Sequence, residues 1–246
     1  MRLSEKVKKL QSGKALESAV RHLRRTAAPR RFGLPLTAER LIKSIPAAGL
    51  AEIRRKHAVE DPGEAWPKYL NLTLWMDKNL QRVRDLGLDA GGRRRVLDLG
   101  CGAGYFLYIC RQLGHDTLGL DIDEVPMFAE MMSLLGLRRV VARVQPFVAL
   151  PRFAEKFDLI TAFMICFNGH KSPRLWRREE WSFFLDDLAT QLSPRGRICL
   201  GFNQEEDGKI YSEDLRRFFA GRGAEFMGDR VILKPDRWPR KGNGER

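Results

Sequence analysis

The chain has 246 residues, 43% of them hydrophobic, with a formal net charge of +13. That is enough for one well-cored domain with an appendage, and no apolar run approaches the ~20 residues a bilayer-spanning helix needs. Cys101, Cys110, Cys166 and Cys199 form no CxxC pair and sit in no His-rich cluster. They read as reduced thiols rather than as a zinc site or a disulfide frame, so no metal is expected, and with no secretory signal legible the expected location is cytoplasmic.

The charge is unevenly placed. Residues 1–58 hold 15 Lys/Arg against 4 Asp/Glu, residues 59–235 hold 25 of each, and residues 236–246 hold 4 against 2. The expected organisation is therefore a basic helical arm over 1–58, a neutral domain over 59–235 and a basic flexible tail over 236–246. The arm is either a solubilising extension or a contact for RNA or an anionic membrane surface, which would make the protein peripheral at the membrane. Residues 3–25 carry apolar stripes at helical spacing (Leu3, Val7, Leu10; Leu16, Val20, Leu23), interrupted at Ser12-Gly13. Pro29, Gly33 and Pro35 mark a linker. A helical stretch over 37–57 follows, capped by Thr37 and divided by Pro46 and Gly49. After the turn at Asp61-Pro62-Gly63, residues 64–87 read as one long aromatic-rich helix.

From there strand and helix alternate. The strands are expected at 95–99, 117–121, 139–145, 157–163, 196–202 and 229–234, and the helices at 104–113, 125–135, 176–191 and 212–221. This is the pattern of an α/β fold, Rossmann-like and doubly wound, with a mainly parallel sheet and an N-terminal helical extension.

The segment VLDLGCGAGYF over 96–106 stands out. It places a carboxylate inside an apolar strand and three glycines, Gly100, Gly102 and Gly104, at the strand's carboxyl end, where open α/β sheets bind ligands. Asp121 ends the next strand, at the spacing where a carboxylate accepts the hydroxyls of a ribose. Two readings of Asp98 are open: it ties down the glycine turn by hydrogen bonds, or it faces a cationic ligand. A pyrophosphate would be poorly served there, whereas S-adenosylmethionine carries an ammonium and a sulfonium and no phosphate.

The segments VLDLGCGAGYF, GHDTLGLDID, FDLITAFMICF and LSPRGRICLGFN, spanning about 94–203, resemble the four core motifs of the class I S-adenosylmethionine-dependent methyltransferases. The resemblance implies a seven-stranded sheet with a reversed last hairpin and S-adenosylmethionine as cofactor. Asp98, Gly100 and Gly102, with Gly104 closing the turn, would border its methionine half, Asp121 the ribose and Ile122 the adenine. The pattern departs at VQPFVALP over 144–151, where many members carry an acidic residue near the adenine; here Gln145 or a backbone carbonyl would take its place.

The segment ICFNGHK over 165–171 falls after the fourth strand, beside the expected methyl group. His170 is the candidate general base and Asn168 a candidate acceptor of an acceptor-borne hydrogen bond; the plainer reading has His170 capping a loop. Trp181, Phe184, Leu185 and Leu188 form a core stripe, with Glu179, Glu180, Asp186 and Asp187 on wet faces. The expected function is methyl transfer to a small-molecule or carbohydrate- or lipid-linked acceptor. The alternatives are an RNA methyltransferase using the basic arm, and a non-catalytic protein that keeps the cofactor fold.

Overall fold

A computed structural model describes residues 36–57 and 66–238. The expected helices over 3–25, the linker, most of the basic tail and the turn at 61–63 lie outside the described residues. Helix α1 (Ala38–Lys43) is capped by Thr37, whose hydroxyl accepts the Arg40 N–H at 3.3 Å. Pro46 separates it from α2 (Ala47–His57). Gly49 does not divide α2: a Cβ there would meet Leu134 Cδ1 at 2.5 Å, so this glycine serves close helix packing. Both helices join the main apolar core through Leu41, Ile45, Leu50 and Ile53.

The long helix expected at 64–87 starts later. Residues Trp66–Leu70 form a 3₁₀ turn, and α3 (Leu72–Asp85) begins where the Asn71 side chain accepts the Leu74 N–H at 3.2 Å. The Trp75 indole donates to the Lys68 carbonyl at 2.9 Å and ties the turn to the helix.

The remainder is β1 (Arg95–Leu99), α4 (Tyr105–Gln112), β2 (Asp116–Asp121), α5 (Pro126–Leu134), β3 (Arg139–Val141), β4 (Phe157–Ile165), α6 (Arg178–Thr190), β5 (Leu192–Phe202), α7 (Glu213–Gly221), β6 (Glu225–Met227) and β7 (Arg230–Leu233). The strand order is β3-β2-β1-β4-β5-β7-β6. All neighbours pair in parallel except β7, which runs antiparallel to β5 and β6. This is the expected seven-stranded doubly wound sheet. β6 is too short to show in the pattern, β3 stops at Val141, and β5 begins four residues early, at Leu192.

Register decides which side chains meet. Leu97, Ile160, Ile198 and Leu233 form one cross-strand row, facing the core beneath α6 and α7. Asp98, Thr161, Cys199 and Ile232 form the next row, facing α3 and α4. The carboxylate therefore lies on a largely apolar face, with the Thr161 hydroxyl beside it. The α6 stripe is core, with Trp181 and Leu185 fully buried. Asp187 departs from its expected wet face. It is buried, accepts the Leu150 N–H at 2.9 Å and pairs with Arg152 at 2.9 Å, fastening the loop ahead of β4.

Candidate functional site

The order of strands reverses direction between β1 and β4, and a cavity of about 580 Å³ opens there at the strands' carboxyl ends. This is the crevice where doubly wound sheets take ligands, and its size suits a nucleoside with a short tail. Asp98, Gly100, Gly102, Asp121 and Ile122 line it.

The three glycines of the turn have three different tasks. Gly100 (φ +67°) is left-handed with open space where its Cβ would be, so its backbone borders the cavity. Gly102 (φ +53°) gives its N–H to Asp121 Oδ2 at 2.5 Å. Gly104 (φ +77°) does not line the cavity; a Cβ there would strike Met132 Sδ at 2.1 Å and Leu137 Cδ1 at 2.7 Å. Its place is against α5. Gly104→Ala is expected to destabilise the fold by about 2–5 kcal/mol, summing a left-handed backbone penalty and overpacking. A thermal melt checks this. Gly100→Ala, free of the clash, is expected to lose far less stability.

Asp121 accepts from Gly102 N and, at 2.8 Å, from Ile122 N. Burial raises its carboxyl above the usual range, and these two N–H groups oppose the shift. Asp98 is buried and accepts the Thr161 hydroxyl at 2.6 Å. It does not bond to the glycine turn, whose N–H groups go to Leu120 and Cys101 carbonyls and to Asp121. Burial pushes the Asp98 carboxyl up to about 7, against the Thr161 bond and the Arg82 charge.

Arg82, on α3, is the residue the sequence reading missed. Its guanidinium lies 4.2 Å from the Phe163 ring centre, donates to Asn79 Oδ1 at 2.8 Å and faces the cavity. It makes no ion pair among the described residues, although burial disfavours its charged form. No spacing rule links position 82 to the glycine motif; only packing of α3 over the sheet brings them together. Tyr69 and Trp75 also line the cavity, stacked at 4.6 Å, as does Phe128, edge-on to Tyr69 at 5.2 Å.

The far wall comes from the end of β4, where a register irregularity between Ala162 and Ile165 leaves Met164 left-handed (φ +55°). Such a bulge re-aims side chains at a strand end. Met164, Cys166, Phe167 and Gly169 line the cavity; Asn168 and His170 do not. Asn168 is buried with Oδ1 unpartnered, and its carbonyl accepts the Trp176 N–H at 2.8 Å. His170 Nδ1 lies 3.0 Å from Glu205 Oε1, whose other oxygen accepts the Lys171 N–H at 2.8 Å. Partial burial raises the Cys166 thiol above its ordinary value. Val144 and Gln145 line the end beyond Ile122. Among the described residues no group of three or more His, Cys, Asp or Glu side chains is placed to hold a metal, and no helix is long and apolar enough to cross a membrane.

A doubly wound sheet ordered 3-2-1-4-5-7-6, with an acidic residue in β1, a glycine turn and an acidic end to β2, defines the class I methyltransferase architecture. Residues 71–201 match the family model described as a methyltransferase domain, over half of the chain, and the chain belongs to that family, whose members of this class use S-adenosylmethionine. No curated protein matches it in sequence. Similar solved structures include DesVI of Streptomyces venezuelae (19% identity, 61% of each chain covered, TM-score 0.46). Another is CalS10 of Micromonospora echinaspora, an amino pentose methyltransferase bound to S-adenosylmethionine (21% identity, 55% of this chain and 53% of that one, TM-score 0.42). A third is a TehB-like S-adenosylmethionine-dependent methyltransferase of Corynebacterium glutamicum (19% identity, 65% and 98%, TM-score 0.42). The chain spans 61% and 53% of the length of the first two. At these values the likenesses carry no argument, and membership rests on the family match.

Proposed function

We propose that the protein transfers the methyl group of S-adenosylmethionine to a small-molecule acceptor by in-line displacement. The carrying observation is that one cavity holds a buried carboxylate, Asp98, and an arginine without an ion-pair partner among the described residues, Arg82, beside the glycine turn. Two opposite charges set into one cavity wall are matched to a zwitterionic amino-acid tail, as a phosphate-bearing cofactor would not be. Asp98 takes the ammonium, Arg82 the carboxylate and Asp121 the ribose hydroxyls. Gly100 and Gly102 let the backbone approach, Ile122 and Val144 flank the adenine, and Gln145 stands where an acidic residue is common.

When bound, the cofactor supplies an activated methyl group: the carbon–sulfur bond breaks as the acceptor's bond to carbon forms, and the electron pair returns to sulfur. The chain's own contribution is alignment and exclusion of water by Tyr69, Trp75, Phe106 and Phe163, which close much of the cavity with apolar surface. On the acceptor side His170 and Asn168 are the candidates, set one residue to either side of Gly169, which lines the cavity, rather than in the lining themselves. Glu205 holds His170 through Nδ1, leaving Nε2 as the nitrogen to receive an acceptor proton, and the Asn168 side-chain oxygen Oδ1, unpartnered, can accept a hydrogen bond.

The test compares two ligands. S-adenosylhomocysteine has the amino-acid tail; 5′-methylthioadenosine lacks it. Arg82→Met is expected to weaken S-adenosylhomocysteine at least tenfold in calorimetry, the value of one charge-assisted bond of ~1.5 kcal/mol or more, and to leave methylthioadenosine unchanged. Equal losses for both ligands would overturn the tail assignment.

A further inference from the structure

Two lysines on the wall opposite β4 have no part in the cofactor reading. Lys68 Nζ lies 5.2 Å from the Tyr69 ring centre, and Lys78 Nζ lies 4.9 Å from the Trp75 ring centre. Those two rings are the stacked pair that lines the cavity; the lysines themselves are exposed and stand outside its lining, each with its ammonium group over one of the two rings. Lys78 Nζ also reaches Met164 Sδ at 3.5 Å, at the end of β4. Lys68 bears electrostatically on Cys166, two residues further along the same wall. Lys78 therefore stands beside Met164, and Lys68 acts on Cys166, two residues that line the cavity at the end away from Val144 and Gln145.

Neither lysine forms an ion pair among the described residues, where Lys43, Lys56, Lys209 and Lys234 each do. Asp229, whose charge is felt at Lys78, lies 3.5 Å from Arg230 Nε. Glu205, the carboxylate felt at Cys166, is bonded to His170 and to the Lys171 N–H. Lys78 is crowded by like charge from Arg82 and Lys68, which together with burial lowers its proton affinity. Asp98 and Asp229 act on Arg82, and Asp229 on Lys78, but Lys68 and Lys78 have no ion-pair partner among the described residues, and an anion entering at the cavity mouth would relieve their mutual repulsion. The wall around them, Tyr69, Trp75, Met164 and Phe167, is apolar or aromatic.

We infer that Lys68 and Lys78 are the acceptor-recognition residues, and that the acceptor is a small molecule with an apolar body and a carboxylate or similarly compact anion. This rests on the cofactor reading of the cavity. The carboxylate of the cofactor goes to Arg82, and the acceptor's anion goes to the lysine pair on the methyl side.

The probes are benzoate and its neutral isostere benzamide, titrated by calorimetry into the full chain saturated with S-adenosylhomocysteine. The proteins are the wild type, the Lys68→Gln/Lys78→Gln double variant and the Lys68→Arg/Lys78→Arg double variant, each checked for an unchanged melting temperature. Benzoate is expected to bind the wild-type complex at least tenfold tighter than benzamide, with the preference weakening as salt rises. The Gln variant is expected to abolish the preference and the Arg variant to retain it, with S-adenosylhomocysteine affinity the same in all three. Equal binding of the two probes, binding of neither, or a preference that survives in the Gln variant would overturn the inference. The preceding titration with S-adenosylhomocysteine alone reads the cofactor assignment separately, so a failure there is distinguishable from a failure of acceptor recognition.

Discussion

Asp121→Ala is expected to lose at least a hundredfold in affinity for S-adenosylhomocysteine and for 5′-methylthioadenosine alike. Asp121 ends β2 on the cavity wall, one oxygen on the Gly102 N–H and the other on the Ile122 N–H. Each oxygen retains a lone pair for a ribose hydroxyl. Two charge-assisted bonds of about 1.5 kcal/mol or more apiece make roughly a hundredfold at their lower bound. The variant also leaves two turn N–H groups without their acceptor, so the loss is read beside Asp121→Asn, which keeps the shape and one good acceptor and should fall between. Because both ligands carry the ribose, both must weaken. This separates Asp121 from Arg82, whose loss should touch only the ligand with the amino-acid tail. Calorimetry on folded protein decides it, and an unaltered methylthioadenosine affinity would remove Asp121 from the ribose site.

The second large effect is on pH. With its carboxyl near 7, Asp98 is neutral in acid and must shed its proton to face an ammonium group. The affinity for S-adenosylhomocysteine is therefore expected to rise about tenfold per pH unit below 7 and to level off above it, until the ligand's own ammonium titrates. Asp98→Asn should flatten the acid limb and weaken binding at pH 8, while 5′-methylthioadenosine shows no such limb. The same group sets a stability trade. The folded-state value stands above the usual 3.8, so ionisation opposes folding. The cost is absent below about 4, where both states are protonated, grows as pH rises, and is complete above about 7. Relative to wild type, Asp98→Asn should thus gain stability between pH 4 and pH 8, by up to about 4 kcal/mol. Chemical denaturation at the two pH values checks this. A variant that melts earlier at pH 8 would show that Asp98 serves the fold rather than the ligand.

Much of the fold was legible before any coordinates. The alternation of apolar runs and helical stripes is local, and it placed most strands within a few residues. It failed where local pattern carries little: β6 spans only Glu225–Met227, and the helix expected from 64 starts at Leu72 because Asn71 caps it. Asp187 reads as a wet-face acid by helical spacing, yet the loop at Leu150 folds over it and buries it.

For the site the division is sharper. Asp98, the glycine turn and Asp121 are separated by short, regular distances along one β-turn-α-β unit, so spacing alone brings them together. Their individual tasks depended on neighbours distant in sequence: Gly104 is held by Met132 and Leu137, and Asp98 by Thr161 from β4. Arg82, Lys68 and Lys78 precede the motif and carry no spacing that marks them. Only the packing of the 3₁₀ turn and α3 over the cavity sets their charges beside Asp98 and Met164. The sequence by itself determined the alternating α/β pattern and the placing of Asp98, the glycine turn and Asp121 at neighbouring strands, because those follow from local periodicity and short chain separation. The placing of Tyr69, Trp75, Lys78 and Arg82 against the end of β4 was decided by tertiary structure alone, because it joins segments some eighty residues apart whose meeting depends on how one helix docks.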